Sequence, residues 1–162
     1  MFICNEIFFM EKIVLKLRNN NNKVEVFDPI RKKWIILTEE EKVRQYCIHQ
    51  LIKEQNIPVS HISVERQIEV NGLAKRYDIV VFSNQGVPWM VIECKAPHIT
   101  LTQAVLEQAG RYNKTLKAEI IGVTNGTEQR FFKIDYETEN ISIISILSPL
   151  SCIIHTKTRK SS

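Results

Sequence analysis

The sequence has no Cys-x-x-Cys pair and no histidine at zinc-finger spacing from a cysteine. Its four cysteines, Cys4, Cys47, Cys94 and Cys152, lie far apart. Neither a disulfide framework nor a structural zinc site is indicated, and a reducing cytoplasm is the expected compartment. His49, His61, His98 and His155 show no ligand spacing either and read as surface or packing residues. There is no Gly-rich phosphate loop, no internal repeat and no long linker. The apolar opening, MFICNEIFFMEKIVLKL, is interrupted by Glu6 and Glu11 and lacks a basic leader and a small-residue cleavage site. It is therefore read as neither an export signal nor a membrane span, and a translation start at Met10 would explain it more simply. Charge of one sign does not dominate: 22 Lys and Arg against 18 Asp and Glu leave a net +4. That excess weakly favours a polyanionic partner over an acidic-patch receptor.

What is present suits one compact domain. The chain has 162 residues, 44% hydrophobic and 25% charged, enough to bury a core. Residues 1–23 read as an N-terminal extension, 24–150 as the domain and 151–162 as a basic C-terminal tail. KVEVFD and KWIILT suggest an N-terminal hairpin, and RNNNNK before them reads as a loop. A helix is expected from about Thr38 to about Glu54, with Val43, Cys47 and Leu51 on one face. ISVERQIEV alternates as a strand and turns at Asn71-Gly72; KRYDIVVF and PWMVIECK flank SNQG as a second hairpin. A second helix runs from about Leu101 to about Leu116, and two more strands join at Asn125-Gly126. Strands, helix, strands, helix, strands describe an α/β/α domain with a central mixed β-sheet flanked by helices. Trp34 and Trp89 lie in strands and read as core.

Within that scheme YDIVVF and WMVIEC are apolar on both faces, as central strands are, so their charged residues need an explanation. A turn at Gln85-Gly86 makes paired positions sum to 171, which sets Asp78 opposite Glu93, with Lys95 on the same face. Carboxylates opposed at about 5 Å repel by roughly 3 kcal/mol at an effective dielectric of about 20. Three arrangements would offset this: one carboxyl keeps its proton, Lys95 bridges both, or a divalent cation sits between them. Mg²⁺ takes one or two carboxylates plus waters and phosphate oxygens. Lys95 beside such an ion could orient or deprotonate a water, or stabilise charge growing on phosphorus. These residue types suit phosphodiester hydrolysis; a buried structural ion pair is the plain alternative.

Asp78 followed by Glu93-Cys94-Lys95 resembles the signature of the PD-(D/E)XK nucleases, with Tyr77 where the naming proline would stand. More narrowly, LTEEEKVRQ, RYDIVVF, VIECKAP and LEQAGRYN together resemble the N-terminal nuclease domain of the R subunit of type I restriction enzymes. The resemblance runs from about residue 24 to about residue 135. It implies a restriction-endonuclease-like fold and a DNA endonuclease with Asp78 and Glu93 as Mg²⁺ ligands, the Cys94 carbonyl as a further ligand and Lys95 as catalytic lysine. Mn²⁺ is expected to substitute. DNA is the implied partner, with motor or other restriction-modification subunits and a homodimer as further candidates. No helicase segment is present.

Gln108 and Tyr112, four residues apart on the second helix, face the sheet with Leu101, Ala104 and Val105. They match the Gln-x-x-x-Tyr motif that supports the site in these nucleases; the plain alternative is a glutamine at the stripe's edge and a tyrosine with its hydroxyl in water. Arg111 and Lys114 flank them as candidate phosphate contacts, or as solvated charges. Arg76, two residues before Asp78, either binds phosphate, partly neutralises the carboxylates or forms a rim ion pair. On the first helix Glu41 is either a carboxylate near the metal or the reciprocal half of a capping box with Thr38. Arg44 and Gln45 are its neighbours, and Glu40 is the other candidate contact. The alternative to cutting is a nuclease-fold module that binds DNA or a partner protein.

Overall fold

The computed structural model describes residues 13–144. The expected start at Met10, the tail 151–162, Cys4, Cys152 and His155 lie outside these residues. Strands β1 (Leu17–Asn20), β2 (Lys23–Asp28) and β3 (Lys33–Ile36) form an antiparallel sheet of their own. RNNNNK is thus not a loop. Arg18, Asn19 and Asn20 pair with β2, and Asn21 and Asn22 make the turn with φ of 47° and 62°. Asparagine tolerates that left-handed conformation, and two in succession suit a tight hairpin turn. Trp34 is half-buried rather than core: it meets the Phe27 ring edge-on at 5.5 Å, and the Arg18 guanidinium lies 4.4 Å from its ring centre.

Helix α1 (Glu39–Lys53) begins after Thr38 and ends at Glu54, as the sequence suggests. Next come β4 (Ile62–Val64), β5 (Gln67–Val70), β6 (Leu73–Arg76), β7 (Ile79–Phe82) and β8 (Pro88–Cys94). Helix α2 (Gln103–Leu116) leads to β9 (Ile120–Thr124), β10 (Gln129–Asp135) and β11 (Asn140–Ile144). The central sheet has the order β11-β10-β9-β8-β7-β4, and only β8 and β9 run parallel. That pair flanks α2, the crossover a parallel connection requires. One face of the sheet buries Val43, Cys47, Ile48 and Leu51 of α1 against Ile79, Val81, Met90 and Ile92. The other buries Leu101, Val105 and Ala109 at α2 against Val80, Val91, Ile121 and Val123. The layers are α/β/α around a mixed sheet.

ISVERQIEV and KRYDIVVF each form two strands rather than one. Glu65 takes φ 53°, and the chain bends there and at Tyr77–Asp78 opposite. The long hairpin is thereby divided: β4 and β7 stay in the central sheet, while β5 and β6 continue as a separate two-stranded ribbon. The amides of Glu65 and Tyr77 still donate across the bend, to Asp78 O and Arg66 O.

Gly122 sits in β9 between Ile92 and Phe131. A Cβ there would come 2.4 Å from Phe131 Cε1, so Gly122→Ala is expected to overpack the core and lower stability by about 1–3 kcal/mol. A lower urea midpoint with an unchanged m-value checks this.

Candidate functional site

The β7–β8 pairs Ile79–Ile92, Val80–Val91 and Val81–Met90 all sum to 171, so the register continues to Asp78 and Glu93. A register shift does occur, between Val81 and Phe82, but at the turn end and away from the acidic pair. Asp78 occupies the bend where the chain leaves the ribbon and enters the central sheet, and Glu93 is the penultimate residue of β8. Both are buried, at 7% and 4% exposure.

Asp78 is met by an arginine rather than by Lys95. Arg44 Nη2 donates to Asp78 Oδ1 at 2.7 Å, and the Cys94 amide donates to Oδ2 at 2.6 Å. Lys95 does not bridge the two acids; its Nζ lies 2.8 Å from Glu93 Oε1. Gln108 Nε2 donates to the same Oε1 at 2.7 Å and lies 3.2 Å from Tyr112 Oη. The core-facing glutamine thus has its partner, and α2 is tied to the tip of β8. Ala104, expected on that face, is exposed.

Burial pushes the Glu93 carboxyl up, and the negative charge of Asp78 pushes it further, to about 7, against the pull of Lys95. Asp78 is also raised, chiefly by burial, although Arg44 and the Cys94 amide favour its charged form. Lys95 holds its proton more tightly than usual: burial opposes the charge, and the Glu93 carboxylate outweighs that. Two acids held above their ordinary range beside a lysine held cationic make a centre that can exchange a proton near neutrality.

Glu40, half-buried, is raised by burial and then by Asp78, and it feels Lys95 and Arg44 as well. It is the first-helix acid electrostatically joined to the site. Glu41 N donates to Thr38 Oγ1 at 3.0 Å, one half of a capping box. The reciprocal half is not made, because the Thr38 amide already donates to Ile36 O at 3.1 Å. The Glu41 carboxylate instead accepts Arg31 Nη2 at 2.7 Å and Gln45 Nε2 at 2.8 Å, and pairs closely with Arg44. Arg31 Nε reaches Asp28 Oδ2 at 2.6 Å, and Gln45 donates to the same oxygen at 2.9 Å. Charges therefore alternate in a buried chain: Asp28, Arg31, Glu41, Arg44, Asp78.

Arg76 does not neutralise the acidic pair. It is exposed on β6, with Nη1 3.4 Å from Glu65 Oε2, because the bend at Tyr77–Asp78 breaks the alternation that would have kept it on Asp78's face. The counter-charge is Arg44, which also contacts Glu65 at 2.9 Å. Spacing within α1 hints at Arg44, three residues after Glu41 and four after Glu40; nothing local points to Asp78, 34 positions away. Arg111 and Lys114 are exposed on α2.

Among the described residues no three His, Cys, Asp or Glu side chains are grouped to hold a metal. The donor chemistry of Asp78 and Glu93 nevertheless fits a hard cation, which needs only one or two carboxylates. Both described hydrogen bonds to Glu93 fall on Oε1, leaving Oε2 for a ligand.

Residues 39–147, more than half of the chain, match the family described as type I restriction enzyme R protein N terminus (HSDR_N). The chain belongs to this family. The chain is also similar to a solved fragment named as a putative HsdR subunit of a type I restriction enzyme from Vibrio vulnificus YJ016, at 23% identity and a TM-score of 0.48. The alignment covers 67% of this chain and 23% of that one, so this HSDR_N chain spans less than a quarter of that relative. No curated protein matches. None of the described helices is long and apolar enough to cross a membrane.

Proposed function

We propose that this HSDR_N chain is a Mg²⁺-dependent endonuclease of the PD-(D/E)XK kind that hydrolyses DNA phosphodiester bonds, with Mn²⁺ able to substitute. The observation that carries the reading is the juxtaposition of Asp78 and Glu93 with Lys95 Nζ 2.8 Å from Glu93. Asp78, Glu93 and the Cys94 carbonyl would hold the ion, whose chemistry when bound is Lewis-acid polarisation of the scissile phosphate.

The chain's own groups do the rest. Gln108 fixes the Glu93 carboxylate through Oε1 and is itself steadied by Tyr112, so Oε2 is presented in one orientation. Lys95, partly exposed and cationic, stands where negative charge grows on phosphorus and stabilises it there. The Lys95 ammonium, held against Glu93 at 2.8 Å, can also orient an attacking water. Arg44 holds Asp78 Oδ1 and keeps the acid in place. DNA is the substrate, and the other subunits of a cytoplasmic restriction-modification assembly, or a second copy of the chain, are the partners.

One observation favours a second reading, a module that binds DNA or a protein without cutting. Arg44 already supplies a positive charge to Asp78, so the site is neutralised without an ion. Supercoiled plasmid with Mg²⁺ or Mn²⁺ separates the two. The parent is expected to nick it, and Asp78→Ala and Lys95→Ala to lose about 100-fold or more of that rate. DNA binding in EDTA with no nicking in either metal would overturn the nuclease reading in favour of the second.

A further inference from the structure

The ribbon β5–β6 and helix α2 enclose a cleft beside the acidic pair. In the ribbon Ile68 pairs with Lys75, and Ile68 packs into the core beneath α2, so Lys75 lies on the α2 side. The cleft, of about 280 Å³, is lined by Asn71, Leu73, Lys75, Gln108, Arg111 and Tyr112. Two of these are cations from different elements, and none is a carboxylate. Gln108, in its wall, is the residue that donates to Glu93 Oε1. An anion in the cleft would therefore sit one side chain away from the acid that faces the scissile bond.

We propose that Lys75 and Arg111 together bind one DNA backbone phosphate next to the one being cut. The inference rests on DNA being the ligand of the nuclease reading, and it adds a subsite contributed by the ribbon. Lys75 supplies a compact ammonium and Arg111 a planar fork, and both suit phosphate oxygens. Asn71 and Tyr112 add neutral hydrogen-bonding groups, and Leu73, 61% exposed at the ribbon's end, supplies an apolar edge against the sugar. The bend at Glu65 and Tyr77–Asp78 has a role here: it turns the ribbon out of the central sheet so that Lys75 faces α2.

The test is equilibrium binding of a fluorescein-labelled DNA duplex in EDTA, followed by anisotropy across a salt series. Each phosphate contact contributes about 0.9 to the slope of log K against log salt. The double variant Lys75→Ala/Arg111→Ala is expected to lower that slope by about 0.9, the value for one shared phosphate. Lys133→Ala, an exposed charge on β10, is expected to leave it unchanged. No change in the double variant, a fall of about 1.8 as for two separate phosphates, or an equal fall in Lys133→Ala would each overturn the proposal. Absence of duplex binding by the parent would overturn it too. Because cutting is not the readout, a parent that binds with the expected slopes but never nicks removes the nuclease reading and leaves this subsite standing. Nicking with an unaltered slope does the reverse.

Discussion

Arg44→Met is expected to destabilise the protein by about 3–5 kcal/mol. Arg44 is 5% exposed, and its guanidinium pairs with Glu41 and Asp78, themselves at 4% and 7%. Removing it leaves two buried carboxylates facing each other with no charge between them. Arg44 holds its own proton more firmly than a free arginine, because the attraction of Asp78, Glu41 and Glu65 exceeds the opposing effect of burial. An exposed ion pair removed in the same way would cost no more than about 1 kcal/mol, so urea denaturation discriminates clearly. The variant should also recover stability as pH falls toward the carboxylate range, since a protonated acid no longer needs the cation. A loss under about 1 kcal/mol, or one indifferent to pH, would mean that the alternating chain of charges does not hold the site together.

Glu93→Gln has the opposite sign for stability. The Glu93 carboxyl moves from an ordinary 4.5 to about 7 in the folded protein. Below 4.5 both states are protonated and the residue is neutral toward folding. As pH rises from 4.5 to about 7, the unfolded chain releases the proton while the folded chain retains it, so stability falls over that window and stays lower above it. At 1.36 kcal/mol per pH unit the interval corresponds to about 3 kcal/mol. Asp78 and Glu40 are raised too, and each adds in the same direction. Glutamine keeps an oxygen for Gln108 and removes the charge. In EDTA at pH 8 the variant should therefore be more stable than the parent, by up to about 3 kcal/mol, with a flatter dependence on pH between 5 and 7. Its plasmid nicking should be lost. A group that stabilises by its absence and is required for turnover is what a site built for chemistry looks like. If Glu93→Gln instead lowers the melting temperature at pH 8, the carboxylate contributes to folding and the reading of Glu93 as a strained functional acid fails.

Much of this geometry is legible in the sequence because it is set locally. The apolar runs on each side of the turn set Asp78 against Glu93; the turn itself is longer than Gln85-Gly86, since the Ser83 amide donates to Val87 O, and the register shift between Val81 and Phe82 offsets the difference. Thr38 and the Asn-Ile-Pro that follows Gln55 bound α1 for the same reason, since capping and proline act over one or two residues. Gln108 stands out in the sequence as a polar side chain on an apolar stripe. What escaped depends on distance or on a single backbone angle. Arg44 reaches Asp78 from another element, and no spacing rule links them. Glu65 adopts a positive φ that its identity does not advertise, so two strands read as continuous are each broken in the middle and Arg76 is carried away from the site. The asparagine run hides β1 because the same residues that make a polar loop also make a tight turn.

The alternating chain of charge begins at Asp28, in a strand that precedes the matched residues 39–147. Family membership and structural integrity therefore have different boundaries in this protein. A version trimmed to the shared span would retain Asp78, Glu93 and Lys95, yet Glu41 would lose Arg31, and Gln45, fully buried, would lose Asp28, one of its two acceptors. The small outer sheet thus acts as an abutment for the first helix, and the part of the chain that sequence comparison leaves unclaimed is the part that keeps Arg44 aimed.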